Sequence, residues 1–170
     1  MSFLLGYCQL ITTINRWVAG AVSVLVFIMV AIISFEVVSR YFFHAPTTWA
    51  MELSSLIFGP YFMLAGPYFL HTSSHINVDI IYSKLSPRLA GIFDCLIYFI
   101  IAVISVIFIY QSFPVALNAF SSNESSFTTW NPIIWPVKAL IPISFLLLFL
   151  QALAESITAM QRSRKQENCV

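Results

Sequence analysis

Four long stretches without a charged residue are the feature that most constrains this chain. They are residues 17–35, 53–70, 95–117 and 139–154. A helix that crosses a bilayer needs about 20 mostly apolar residues, so each stretch is typical of a spanning helix. The stretches are continuously apolar, whereas the strands of a lipid-facing barrel alternate between apolar and polar residues. The pattern therefore predicts four transmembrane helices.

The amino-acid composition agrees with a membrane environment. Of the 170 residues, 59% are hydrophobic and 9% are charged, against about 45–50% and about 25% in ordinary soluble domains. This apolar surface is too large to be hidden in one core of this size. We therefore expect an all-α integral membrane protein in which residues 1–170 form a single four-helix domain.

Capping signals refine the bounds of the predicted helices. Asn131-Pro132 and Ser86-Pro87 each place a helix-capping residue before a proline at the first helical position. The predicted spans therefore cover about residues 17–40, 50–70, 87–117 and 132–155, followed by a cytoplasmic tail at 156–170.

Two further features concern the shape of the helices. Gly59-Pro60 and Gly66-Pro67 predict a kinked second helix, because each proline removes a backbone hydrogen bond. Residues 3–14 have apolar side chains at helical spacing and lack the features of a removable signal peptide. We expect them to form a helix in the membrane interface, with a second short helix at residues 80–85.

The distribution of lysine and arginine predicts the orientation of the chain. Cytoplasmic loops of membrane proteins carry an excess of these residues. Six lie on one predicted side, against two, Arg40 and Lys138, on the other; the six are Arg16, Lys84, Arg88, Arg162, Arg164 and Lys165. Both termini are therefore expected in the cytoplasm.

Several function classes are disfavoured by the sequence. The formal net charge is +1, and no basic block could neutralise a run of phosphates, so no nucleic-acid partner is expected. Cys8, Cys95 and Cys169 are far apart and indicate neither disulfides nor a zinc site. No nucleophile with an adjacent base and no pair of catalytic carboxylates is evident. We expect no enzymatic activity and no cofactor.

The charged residues lie mostly at the predicted helix ends. Glu36 and Arg40 are four residues apart, on one face of the first helix, and can form an ion pair; a contact with a partner subunit or a proton path is the alternative. Glu52 begins the second helix, where the helix dipole favours a negative charge. Arg40 can bond to loop carbonyls and to Glu36 or Glu52, and thereby order the first loop.

Histidines raise the question of a metal or haem site. His71, His75 and Asp79 are spaced four residues apart and resemble a metal triad, but a turn-like break favours a structural role. A cytochrome-like electron-transfer subunit or another four-helix membrane anchor is the alternative class. Haem would need imidazoles from facing helices at one depth, and the predicted topology places His44 opposite His71 and His75.

Three ordered motifs carry a family resemblance. Residues 40–53 resemble the R-Y-x-F-x-x-P-x-x-W-x-x-E-L signature of the small membrane subunit of tripartite ATP-independent periplasmic (TRAP) transporters, the DctQ type. Residues 75–79 resemble its H-I-x-V-D motif, and residues 135–151 its W-P-x-K and L-Q pattern. The matching residues are Arg40, Tyr41, Phe43, Pro46, Trp49, Glu52, His75, Asp79, Pro136, Lys138 and Gln151.

The resemblance implies a function for the chain. It implies a bacterial inner-membrane subunit that binds a large permease subunit, which holds the substrate and sodium sites, and that works with a periplasmic substrate-binding protein. We expect a static scaffold surrounded by membrane lipids, without a substrate site of its own. Such systems carry C4-dicarboxylates, 2-oxo acids or sialic acids, and the sequence does not select among them.

Overall fold

The computed structural model describes residues 2–73 and 87–167. These residues form four helices: α1 (Ser2–Phe42), α2 (Ala50–Ser73), α3 (Pro87–Ser121) and α4 (Trp135–Glu167). Each helix contains a segment long and apolar enough to cross a membrane. The predicted all-α membrane fold with four spanning helices is therefore confirmed.

α1 is much longer than a bilayer is thick. Its 41 residues extend over about 60 Å, whereas the hydrocarbon core of a membrane measures about 30 Å. The uncharged run Trp17–Phe35 extends over about 28 Å and matches that core. Arg16 and Glu36 flank this run, so we expect them at the two boundaries of the hydrocarbon layer.

α4 is the central helix of the bundle, because it contacts α1, α2 and α3. α3 packs along α4, and α1 also packs against α2. Many side chains buried in these contacts are small, among them Ala102, Ser105, Ala116, Ala119, Ser144 and Ala152. Small residues let helix backbones approach closely, which strengthens van der Waals packing in a membrane.

The N-terminal segment differs from the predicted interfacial helix. Residues 3–14 continue α1 without a break, so they do not form a separate helix in the interface. The Tyr7 hydroxyl donates a hydrogen bond to the carbonyl of Leu150 at 3.3 Å, and the Cys8 thiol donates to the carbonyl of Ala154 at 3.5 Å. These contacts hold the segment against α4 and thereby extend the bundle.

The start of α4 also differs from the prediction, since the helix begins at Trp135 rather than at Pro132. The backbone N–H of Ser126 donates to the carbonyl of Pro132, and that of Ile134 donates to the carbonyl of Glu124, both at 3.0 Å. These bonds hold residues 132–134 in an antiparallel bridge. The pairing of residues 132–134 with the segment that follows α3 therefore prevents a helix from beginning at Pro132, although Asn131-Pro132 is a helix-capping signal.

The other helix ends lie near the predicted bounds. α2 begins at Ala50 and continues to Ser73, and α3 begins at Pro87. α2 runs through both of its prolines as one helix, so the kink stays a prediction. α4 continues as helix through Glu167 into the predicted tail. The short helix predicted at residues 80–85 lies outside the described residues.

Candidate functional site

Hydrogen-bonded polar side chains concentrate at the two ends of the bundle. The loop-side cluster lies where α1 ends and where α2 and α4 begin; it consists of Glu36, Arg40, Thr47, Glu52, Glu124, Ser126, Thr128 and Lys138. The termini-side cluster consists of Thr12, Asn15, His71, Gln151 and Glu155. Along α2, Glu52 and His71 are separated by about 28 Å, which is close to the thickness of a hydrocarbon core.

Glu36 is the centre of one half of the loop-side cluster. Its side chain is buried, and Oε1 accepts hydrogen bonds from Nε and Nη2 of Arg40 at 3.0 and 2.5 Å. Oε2 accepts a bond from the backbone N–H of Thr47 at 3.1 Å and another from the Thr47 hydroxyl. The structure thus contains the Glu36–Arg40 ion pair, and Glu36 also fastens the loop between α1 and α2.

A turn at the end of α1 brings that loop back to Glu36. His44 has a positive φ of 51°, a conformation that commonly ends a helix. The Ser39 hydroxyl donates to the carbonyl of Ala45 at 2.6 Å, and the backbone N–H of Ala45 donates to the carbonyl of Ser39 at 3.1 Å. This closed turn directs Thr47 toward the Glu36 carboxylate.

Glu52 fastens the connection between α3 and α4 to α2. It lies in the first turn of α2, where the helix dipole favours its charge. Its carboxylate accepts hydrogen bonds from the hydroxyl of Ser126 and from that of Thr128, the latter at 2.8 and 2.6 Å. Hydroxyl groups therefore bind Glu52, whereas Arg40, which was expected at Glu36 or Glu52, binds Glu36.

The connection between α3 and α4 is itself held by polar contacts. Lys138, in the first turn of α4, donates through Nζ to both carboxylate oxygens of Glu124 at 2.7 and 2.6 Å. The Asn131 side-chain oxygen accepts a bond from the backbone N–H of Phe127 at 2.9 Å, and both residues have a positive φ. Residues 122–134 thus form an ordered cap on the loop side of the bundle.

The termini-side cluster joins three helices through buried groups. Nδ2 of Asn15 in α1 donates to Oε1 of Gln151 in α4 at 2.8 Å. Nε2 of Gln151 donates to the hydroxyl oxygen of Thr12 at 3.3 Å and to Oε1 of Glu155 at 2.9 Å. Nδ1 of His71 in α2 lies 2.5 Å from the same Glu155 oxygen. The side chains of Asn15, Gln151 and Glu155 are nearly inaccessible to solvent.

The residues of the family motifs are divided between both ends of the bundle. Trp49 stacks on Phe35, with ring centroids 6.0 Å apart, and therefore packs the loop against α1. Tyr41 and Phe43 are 71% and 73% exposed, and Pro46 is exposed beside them. These three residues form a surface rather than part of the bundle interior.

The later motifs have different locations. Pro136 lies in the first turn of α4, next to Lys138 of the loop-side cluster. Gln151 lies near the middle of α4, in the termini-side cluster, and is fully buried, so the sequence pattern combines residues from both polar clusters. His75 and Asp79 lie outside the described residues.

Sequence reasoning missed Asn15 and Glu155 as members of a cluster. Glu155 was regarded only as the residue that ends the uncharged stretch 139–154, and Asn15 was assigned no role. The sequence did contain a signal for the contact between Gln151 and Glu155, because these residues are one helical turn apart. Their pairing with α1 could not be predicted while residues 3–14 were assigned to a separate helix.

The histidines and acidic residues do not meet as metal ligands within the described ranges. There, no group of three His, Cys, Asp or Glu residues is arranged to hold a metal ion. The triad considered from the sequence includes two residues beyond these ranges. His44 lies in the turn after α1, whereas His71 lies in the termini-side cluster. They are at opposite ends of the bundle and cannot share one haem.

Four apolar helices with polar clusters one hydrocarbon thickness apart define a multi-pass membrane protein. The model of the family described as "Tripartite ATP-independent periplasmic transporters, DctQ component" matches residues 29–162, well over half of the chain. The chain belongs to this family, and it is therefore a small permease component of a TRAP transporter. No curated protein matches the chain in sequence.

Proposed function

We propose that the chain is the static scaffold of a sodium-coupled TRAP transporter for an organic acid. It binds and stabilises the large permease subunit and helps to dock the periplasmic substrate-binding protein. The observation that carries this proposal is that most of the polar side chains in the two clusters bind one another. The layer between the clusters is packed with apolar and small side chains.

The buried hydroxyl groups of the helices support the proposal. Ser54, Ser105 and Ser144 each donate to the carbonyl four residues earlier in their own helix, at 2.8, 2.7 and 2.7 Å. Their donor hydrogens are therefore already used. An organic acid crossing the membrane needs hydrogen-bond donors or positive charge near the midplane. In this proposal, the large subunit supplies these groups together with the sodium sites.

The two clusters also explain why a scaffold would remain static. At one end, Glu36 and Glu52 hold two connections; at the other, Gln151 and Glu155 join three helices. A relative movement of α1, α2 and α4 would break several of these bonds at once. Buried polar groups without partners are costly in a low-dielectric environment. The bundle is therefore suited to hold a partner at fixed depth while that partner moves its substrate.

The loop-side surface supports the docking role. Tyr41, Phe43 and Phe127 expose large aromatic rings there, and Phe127 is 87% exposed. Aromatic residues are enriched at protein interfaces. With both termini in the cytoplasm, as the lysine and arginine count predicts, this surface faces the periplasm and the soluble binding protein.

Reconstitution tests the proposal directly. The chain alone, and the chain with its large subunit, are placed in liposomes under a sodium gradient together with the binding protein. Radiolabelled C4-dicarboxylate, 2-oxo acid and sialic acid are offered separately. We expect sodium-dependent uptake of one class only when both membrane subunits are present. Uptake by the chain alone, or undiminished uptake by the large subunit alone, would overturn the scaffold role.

A further inference from the structure

A notch opens on the outward face of α1. It has a volume of about 670 Å³, and its lining among the described residues consists of Thr13, Arg16, Trp17, Gly20 and Ala21. All five residues are exposed, whereas Ile11, Asn15 and Val22 are buried on the opposite side of the helix. A Cβ added at Gly20 would meet nothing within 4 Å, so the floor of the notch is open.

The depth of the notch is fixed by the sequence around it. Arg16 directly precedes the uncharged run of α1 and directly follows Asn15 of the termini-side cluster. It therefore lies at the boundary between hydrocarbon and lipid headgroups. Gly20 and Ala21 lie about 6–8 Å deeper, within the hydrocarbon layer. The notch thus has a charged end at headgroup level and an apolar end among the acyl chains.

The polar groups of the notch define the chemistry of a ligand. Within the described residues, Arg16 takes part in no hydrogen bond or ion pair, so its guanidinium donors are available. The Thr13 hydroxyl donates to the carbonyl of Gln9 at 2.7 Å, so its oxygen can only accept a further bond. Trp17 is 77% exposed, and tryptophan favours the interface between headgroups and acyl chains.

We propose that this notch binds one anionic phospholipid of the phosphatidylglycerol type. Arg16 binds the phosphodiester through paired N–H donors, which match its geometry. The Thr13 oxygen accepts a hydrogen bond from a headgroup hydroxyl, and Trp17 flanks the glycerol esters. One acyl chain lies over Gly20 and Ala21. A lipid with a net negative charge neutralises Arg16, whereas a zwitterionic lipid leaves the combined site positively charged.

Native mass spectrometry of the purified full chain tests this proposal. The protein is exchanged into mixed micelles that contain equal amounts of phosphatidylglycerol, phosphatidylethanolamine and phosphatidylcholine, and the retained lipid is counted. We expect one phosphatidylglycerol per chain. Arg16→Gln and Gly20→Leu should each lower its retention at least tenfold, because the first removes the positive charge and the paired guanidinium donors and the second fills the acyl groove.

Ala31→Leu is the matched control, because Ala31 is exposed three helical turns beyond Gly20 along α1 and lies outside the notch. This variant should retain as much phosphatidylglycerol as the unaltered chain. Thermal unfolding verifies that each variant is folded. Equal retention of the three lipids, or unchanged retention in Arg16→Gln, would overturn the proposal. Arg16-dependent binding of a second copy or of the large subunit, with exclusion of lipid, would also overturn it.

A second measurement reports on the same site in vesicles. Brominated lipids quench tryptophan fluorescence only at short range. We expect brominated phosphatidylglycerol to quench the chain more strongly than brominated phosphatidylcholine does, and we expect Trp17→Phe to abolish the difference. The same excess quenching in Trp17→Phe would show that the lipid preference arises elsewhere and would contradict the assignment of this notch.

Discussion

Asn15 and Gln151 are hydrogen-bonded to each other at 2.8 Å although 136 residues separate them in the chain. The bond joins the N-terminal part of α1 to the middle of α4, and both side chains are buried. Gln151 also binds Glu155, which in turn contacts His71. Gln151 therefore connects α1 to α4 directly, and it connects to α2 through Glu155.

Replacing Gln151 should destabilise the bundle strongly. Gln151→Leu removes three hydrogen bonds and leaves buried polar atoms of Asn15 and Glu155 with fewer partners. We expect the free energy of unfolding to fall by about 2–3 kcal/mol, measured by titration with a denaturing detergent. Ser156→Ala is the control, because the Ser156 hydroxyl bonds only to the carbonyl of Leu153 in its own helix; its effect should stay within about 0.5 kcal/mol.

A double-mutant cycle isolates the contact between α1 and α4. Asn15→Ala, Gln151→Ala and the double variant should give a coupling energy between about 0.6 and 1.7 kcal/mol, the average and the maximum for hydrogen bonds between membrane helices. The same titration measures all four proteins. Purely additive effects of the two substitutions would show that the bond makes no contribution of its own.

In the loop-side cluster, Glu36 should contribute more to the stability of the fold than Arg40 does. Glu36 accepts bonds from Arg40 and from two groups of Thr47, whereas the Arg40 side chain is 48% exposed. Arg40→Ala should cost less than about 1 kcal/mol, as a partly exposed ion pair does. Glu36→Ala should lower Tm further, because it also releases the loop. Equal shifts of Tm in the two variants would contradict this order.

Features that depend on residues close together in the sequence could be predicted, whereas contacts between residues far apart in the sequence could not. The four helices follow from apolar runs, and the Glu36–Arg40 pair follows from helical spacing; both are local. The start of α4 was wrong because Pro132 pairs with Ser126, a contact set by the return of the chain. The contact of Asn15 with Gln151 was missed because it depends on the packing of α1 against α4.

The cap formed by residues 122–134 should depend on Glu52. Glu52→Ala removes the acceptor for Ser126 and Thr128, and charge-assisted bonds of this kind contribute about 1.5–3 kcal/mol. We expect the amide of Ser126, which donates to Pro132, to exchange with deuterium at least tenfold faster. Ser55→Ala is the control on α2, because the Ser55 hydroxyl bonds to its own helix. Unchanged exchange in Glu52→Ala would show that the backbone bonds hold the cap alone.

The orientation of the chain can be measured with single cysteines. In a background without the three native cysteines, Thr129→Cys places an exposed thiol in the loop-side cap, and Gln9→Cys places one on the N-terminal part of α1. We expect an impermeant maleimide to label Thr129→Cys in intact cells and Gln9→Cys only after the cells are broken. The reverse pattern would show that the termini face the periplasm.

Substitutions in the loop-side cluster should leave ion coupling unchanged. Arg40 and Glu52 lie at the boundary of the bilayer and bind groups of this chain, so neither is placed to carry sodium through the membrane. Arg40→Ala and Glu52→Gln, reconstituted with the large subunit, should slow uptake at limiting binding protein by no more than about fivefold, equivalent to about 1 kcal/mol. With the sodium coupling proposed above, the number of sodium ions per substrate, measured from reversal potentials, should equal that of the unaltered complex. A changed number in a variant that still assembles would place that residue in the ion path, because loss of a docking or structural contact alters the rate of transport but not its stoichiometry.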